Sequence, residues 1–161
     1  MIIKPLAETH LVKDRFTVFL AGSIEMDTAE NWQEIISESF LESERICLLN
    51  PRRDEWNSEW KQEIENEQFY KQVTWELDAL EQADLIIFYF APGTKSPISL
   101  LELGLFARSN KIVVCCPDGF WRKGNIDIVC ERYGIQQVNS LKTLIQIINQ
   151  QANEHQSTHA D

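Results

Sequence analysis

Two glutamates in this sequence fall where carboxylates are out of place. Glu102 lies in "SPISLLELGLFARSN" (96–110), a turn running into a helix that begins near Pro97. On that reading Ile98, Leu101 and Leu105 share the face of Glu102, the face expected to pack on a sheet. Glu76 lies in a second helical pattern, inside an apolar stripe of Phe69, Val73, Leu77 and Leu80, with Asp78 and Glu81 toward the polar side. Two inward carboxylates on helices flanking one strand are equipment for acid/base or nucleophilic work. Without a histidine or an obvious metal set beside them they fit glycosidic-bond chemistry. There, retaining enzymes hold two carboxyl groups about 5 to 5.5 Å apart, one as nucleophile and the other as acid or base. A plainer role competes for Glu102. Ser99 stands three residues before it and completes the capping-box pattern S-x-x-E, and a carboxylate in a first helical turn is favoured by the helix dipole.

The rest of the composition narrows the chemistry further. The three histidines, His10, His155 and His159, lie in the terminal segments, so Ser-His, Cys-His and His-rich metal sites lack the fixed imidazole they need. Cys47, Cys115, Cys116 and Cys130 form no C-x-x-C pair and read as small hydrophobes, so neither a metal nor a cofactor is expected. Fifteen Lys and Arg against 25 Asp and Glu give a net charge of -10, which repels nucleic-acid polymers and anionic membranes. No apolar run is long enough to span a bilayer, and the N-terminus is too polar for a signal peptide, so a cytoplasmic location is expected.

The elements that must position the two glutamates alternate along the chain. Strands are expected at 16–22, 45–51, 84–92, 111–117 and, weakly, 134–138; helices are expected at 28–43, capped by Asp27 or Thr28, at 58–83, from near Pro97 within 96–110, as a short helix with a loop between Gly119 and about Arg132, and at 140–151. This rhythm predicts an α/β fold in one domain over residues 1–152: a Rossmann-like or flavodoxin-like three-layer sandwich around a five-stranded parallel sheet. The polar, unpatterned end from 153 to 161 is expected to be disordered. In such a sheet "AGSIEMD", "NPRRDEW" and "APGTKSPISLLE" meet in the crevice at the carboxyl ends of the strands. Arg52, Arg53 and Trp56 can reach it, the tryptophan to stack on a base and the arginines to hold an anion. Equally, Arg52 or Arg53 can pair with Glu25, Asp54 or Asp84 to shape the loop. Trp32 and Trp75 read as packing residues.

"FLAGSIEM" (19–26), "NPRRDEW" (50–56), "QVTWELDALEQADLIIFYF" (72–90) and "SPISLLELGLFA" (96–107) together resemble the nucleoside 2-deoxyribosyltransferase-like family. The resemblance implies an enzyme that cleaves the N-glycosidic bond of a nucleoside or nucleotide derivative. In it the Glu of the E-L-G motif, here Glu102, attacks the anomeric carbon, and a second base or water resolves the glycosyl ester. It places Glu76 where the classical transferases carry an Asp that handles protons at the base, and Gly22 and Ser23 in a turn beneath the sugar. Ser23 can equally serve only its own turn. Ser96 matches an Asp of the transferases and a phosphate-binding Ser of the related nucleotide N-glycosidase.

Asn125 lies near an Asn lent by a neighbouring subunit in the classical enzymes, which implies a homodimer or larger. Phe120 and Trp121 in the adjoining loop are then interface anchors or parts of a lid. Two positions depart from the pattern. Phe19 replaces the Tyr that orients the nucleophile, which opens the alternative of a non-catalytic nucleotide-derivative sensor using the same pocket. Glu25 stands where the nucleotide hydrolase has an Arg for a 5'-phosphate, which argues against a 5'-phosphorylated substrate.

Overall fold

The computed structural model describes residues 1–7, 14–25, 29–53 and 61–159. Eleven elements follow one another: β1 (Ile2–Ile3), β2 (Phe16–Gly22), α1 (Trp32–Ser39), β3 (Ile46–Leu49), α2 (Glu67–Gln82), β4 (Leu85–Tyr89), α3 (Pro97–Phe106), β5 (Ile112–Cys115), α4 (Lys123–Tyr133), β6 (Gln136–Val138) and α5 (Leu141–His159). The strands form one parallel sheet in the order β1-β3-β2-β4-β5-β6. Without β1 this is the flavodoxin-like order 2-1-3-4-5, so the α/β sandwich expected from the sequence is present.

The sheet has six strands where five were expected. The sixth is the dipeptide Ile2–Ile3, too short to show a period, held because β3 offers it an open edge: Leu48 N–H donates to Met1 O and Asn50 N–H to Ile3 O, each at 2.9 Å. The helix expected over 58–83 starts only at Glu67, where the Asn66 side chain caps the N–H groups of Gln68 and Phe69. Asp27 and Thr28 lie outside the described residues, and Asn31 precedes α1 without a side-chain cap bond. Nor does order end at residue 152. Ala152 is buried in line with Ile148, and beyond it Arg45 Nη1 donates to Asn153 Oδ1 at 2.9 Å while the His155 ring lies 5.4 Å from that of Phe16. Asn153, Glu154, Gln156 and Ser157 are exposed on a helix already anchored by α5's apolar side, which polarity alone does not reveal.

Both faces of the sheet are covered, which is why β4 reads as an unbroken apolar run. Side chains alternate along it: Ile86, Phe88 and Phe90 join one core with Trp75 of α2, Leu103 of α3 and Ile126 of α4. Leu85, Ile87 and Tyr89 join the other core with Trp32 and Ile36 of α1 and Ile148 of α5. Helices α2, α3 and α4 therefore share one side, and α1 and α5 the other. The chain leaves β2 toward β3 and returns past it to β4, so the crevice of an open parallel sheet opens where β2 and β4 end. Among the described residues no helix is long and apolar enough to cross a membrane.

Candidate functional site

The floor of the crevice is built by backbone contact between β2 and β4. Gly22 has φ +139°, and a Cβ placed on it would lie 2.2 Å from Tyr89 O. No other residue fits this approach. Ser23 follows, fully buried, and donates its N–H to Tyr89 O while its Oγ accepts from Ala91 N–H at 2.9 Å. The same hydroxyl lies 2.7 Å from both Thr94 Oγ1 and Ser96 Oγ. Ser23 thus ties the end of β2 to the loop that follows β4.

Ser96 takes a left-handed conformation, φ 45°, immediately before Pro97 opens α3. It is held there by Glu25, whose Oε1 accepts the N–H groups of Lys95 and Ser96 at 2.6 and 2.7 Å. Asp84 accepts the N–H and hydroxyl of Thr17.

Glu102 is buried, 8 % exposed, but not for the reason its neighbours imply. Ile98, Leu101 and Leu105 are 60, 60 and 61 % exposed, and the inward side of α3 is Ser99, Glu102 and Leu103. A helix apolar nearly all round has no stripe from which its buried face can be read. The capping box is absent too. Ser99 lies inside the first turn and donates to Gly22 O at 2.9 Å, and Glu102 belongs to the second turn, beyond the helix end that would have stabilised it.

Glu76 approaches from α2. Burial comes first among the causes that raise the Glu102 carboxyl to about 8, and the charge of Glu76 adds to it. Glu76 is itself pushed upward by burial, opposed by a hydrogen bond from Gln72 and by the charge of Arg53. The two glutamates named from the sequence are thus electrostatically coupled although 26 positions apart in the chain. The stripe assigned to α2 is shifted, however: Gln72, Trp75, Ala79 and Leu80 are its buried residues, and Leu77 is exposed.

Arg53, half-buried after β3, donates through Nε to Gln72 Oε1, and Gln72 Nε2 donates in turn to Glu76 Oε1. Gln72 escaped the sequence reading, although its spacing of four from Glu76 on one helix is the signal that could have found it. Arg52 points elsewhere: its Nη1 lies 3.5 Å from Oε1 of the buried Gln33, and its N–H donates to Asn50 Oδ1. Trp56 and Asp54 lie outside the described residues.

Phe19 is fully buried with its ring 6.5 Å from that of Trp75. Trp75 and Trp32 are packing residues as expected, their indoles donating to Ala7 O and Ser23 O. Asn125 is exposed in the first turn of α4. Phe120 is core rather than an interface anchor, buried 5.0 Å from Phe90, because the corner at Gly119 folds back onto the loop after β4. Trp121 remains 53 % exposed; its Nε1 donates to Lys95 O and its ring lies under Arg122. The four cysteines are buried thiols, and burial raises Cys115 and Cys130 to about 11 and Cys116 to about 12.

Residues 15–120, which carry β2 through β5 and both glutamates, match the family described as nucleoside 2-deoxyribosyltransferase like. The chain belongs to this family. Among solved structures, a conserved protein from Enterococcus faecalis V583 is similar with a TM-score of 0.61 at 12 % identity, over 85 % of this chain and 99 % of that one. That likeness is one of fold. No curated protein matches. In this nucleoside 2-deoxyribosyltransferase-like chain the matched segment carries β2 to β5 with α1, α2 and α3, and β1, α4, β6 and α5 lie outside it.

Proposed function

We propose that this protein cleaves the N-glycosidic bond of a nucleoside or deoxynucleoside, with Glu102 as nucleophile and Glu76 as its proton-handling partner. The observation that carries this reading is the buried pair itself: two carboxylates from different helices, both raised by burial, with the charge of Glu76 adding to the cost of ionising Glu102, in the crevice of a fold and family whose members suit such substrates.

In the free site Glu102 holds its proton up to about pH 8, and the singly protonated pair, with that proton on Glu102, is the reactive form. As the C1'–N bond breaks, its electron pair goes to the base nitrogen, which takes up that proton by way of Glu76. The Glu102 carboxylate so released bonds C1' to give a glycosyl ester. Water or a second base then attacks C1', returning the electron pair to Glu102 and its proton to the pair. Hydrolysis and base transfer differ only in that last partner.

Arg53 lies close enough to the carboxylate pair to meet a polar edge of the substrate. Ser96 and Gly22 shape the floor beneath it. Trp56 is proposed as the stacking surface for the base and Arg52 as a second basic contact on the same loop. The assembly is a homodimer or larger: the exposed side chains of Ile98, Leu101 and Leu105 form an uncharged apolar strip on α3, and Asn125 is free to reach a partner's site.

A sensor that binds a nucleotide derivative without turnover is the second reading. It rests on Phe19, whose ring packs on Trp75 and offers no hydroxyl to orient Glu102. Incubation with a panel of nucleosides plus free bases, followed by chromatography, separates the two. Released or exchanged base supports the enzyme, and binding with no released base overturns it.

A further inference from the structure

The two carboxylates are connected to their surroundings unequally. Gln72 donates to Glu76, whereas among the described residues no hydrogen bond reaches the Glu102 carboxylate. Gln72 is buried, 8 % exposed, and its far end is taken by Arg53 Nε. A guanidinium only donates and an ionised carboxylate only accepts, so the amide between them has one workable orientation: oxygen toward Arg53, nitrogen toward Glu76. Turned end for end, it would set donor against donor and acceptor against acceptor.

We propose that Gln72 is a positioning residue whose amide, fixed between Arg53 and Glu76, dictates which of the two inward carboxylates carries the site's proton. The groups facing Glu76 are Arg53 from the segment after β3, Glu102 from α3 and Gln72 on its own helix. Arg53 and Gln72 both favour a charged Glu76. Among the described residues burial and that charge are what act on Glu102, both against its ionisation, so it holds the proton until a substrate base accepts it. Without Gln72 the preference weakens. The proton then divides between the two glutamates, and the resting site no longer presents a defined acid and a defined carboxylate.

The catalytic meaning of this arrangement rests on the proposed glycosidic reaction, but its test does not. The free protein is labelled with glutamate carrying 13C at the side-chain carboxyl, and the two resonances are assigned with Glu76→Gln and Glu102→Gln. In the unsubstituted protein Glu76 ionises first as pH rises and Glu102 second. In Gln72→Met, close in size but unable to hydrogen-bond, the Glu76 step moves to higher pH. In Gln72→Glu, which keeps the acceptor for Arg53 but loses the donor for Glu76 and adds a charge, it moves further; this variant also serves if the methionine variant fails to melt cooperatively. An unmoved Glu76 step in both variants, or Glu102 ionising before Glu76 in the unsubstituted protein, overturns the proposal.

A kinetic arm reads the same effect. Single-turnover cleavage on the acidic limb falls about tenfold in Gln72→Met, the equilibrium weight of one charge-assisted hydrogen bond, while the alkaline limb stays in place. Absence of cleavage in every protein, including the unsubstituted one, counts against the reaction and leaves the carboxyl titration to decide on Gln72.

Discussion

Glu102 on α3 lies within electrostatic reach of Glu76 on α2, and the charge of Glu76 adds to burial in keeping Glu102 neutral. Their mutual effect sets a pH range. Below the Glu76 step both are protonated and no nucleophile exists. Above about 8 both are ionised and no proton remains for the leaving base. The rate of nucleoside cleavage is expected to be bell-shaped, with its alkaline limb near 8. A rate that keeps rising beyond that limb would show that the pair does not hold the reaction's proton.

The same carboxyl makes stability depend on pH with an unusual sign. Its pKa is raised in the folded chain, so between the ordinary glutamate range and about 8 the folded state binds more protons than the unfolded one, and stability falls as pH rises through that window. Glu102→Gln removes the titration while keeping the shape. The variant is expected to melt several degrees above the unsubstituted protein at pH 8, to match it near pH 4.5, and to show no turnover. Calorimetry and the cleavage assay on one preparation check all three, and retained turnover removes Glu102 from the nucleophile's role.

Removing Glu76 tests the other half of the pair. Glu76→Ala takes away a charge that raises Glu102, so the Glu102 titration moves down in pH while the cleavage rate drops by a hundredfold or more, the usual scale for loss of a proton-transfer group. Single-turnover kinetics at several pH values read both. An unchanged rate dismisses Glu76 from the mechanism.

Gly22 offers a prediction about the frame rather than the chemistry. A methyl at that position would lie 2.2 Å from Tyr89 O, and the backbone stands at φ +139°. Gly22→Ala is expected to cost on the order of 3 kcal/mol by forcing β2 and β4 apart, measurable as a lower denaturant midpoint. A midpoint within error of the unsubstituted protein would mean that the strand ends yield where this geometry says they do not.

Assembly is tested by complementation. Glu102→Ala and Asn125→Ala are each expected to be inactive, and mixing them is expected to restore activity through mixed dimers that hold one intact pocket. Leu101→Glu, placed on the exposed strip of α3, is expected to give a monomeric mass by light scattering. Confirmed subunit exchange without recovered activity would exclude a shared site.

Where these residues sit was legible in the sequence to different depths. Strand β4 could be read outright, because burial on both faces leaves an unbroken apolar run. Gly22 was visible only as one of several glycines, since its need arises from Tyr89 O, 67 positions away. Glu102 was expected to face inward and does, but from an incorrect stripe: α3 is apolar on nearly every side, and which side turns inward is decided by what meets it, not by its own period. Ser99 matched a capping pattern, yet the hydroxyl bonds Gly22 O, a partner brought near only by the sheet. Gln72 lay within reach of pattern reasoning, whereas the burial of Phe120 depended on a corner whose folding back no local signal announces.

Helix α3 has one further consequence. Ten residues long, it turns Glu102 inward and Ile98, Leu101 and Leu105 outward, so the buried carboxylate and the bare outer strip ride on one helix. On the proposed chemistry, a molecule that grips the outer strip and shifts α3 would displace the nucleophile without entering the crevice, and an inhibitor of this protein would then need no likeness to a nucleoside.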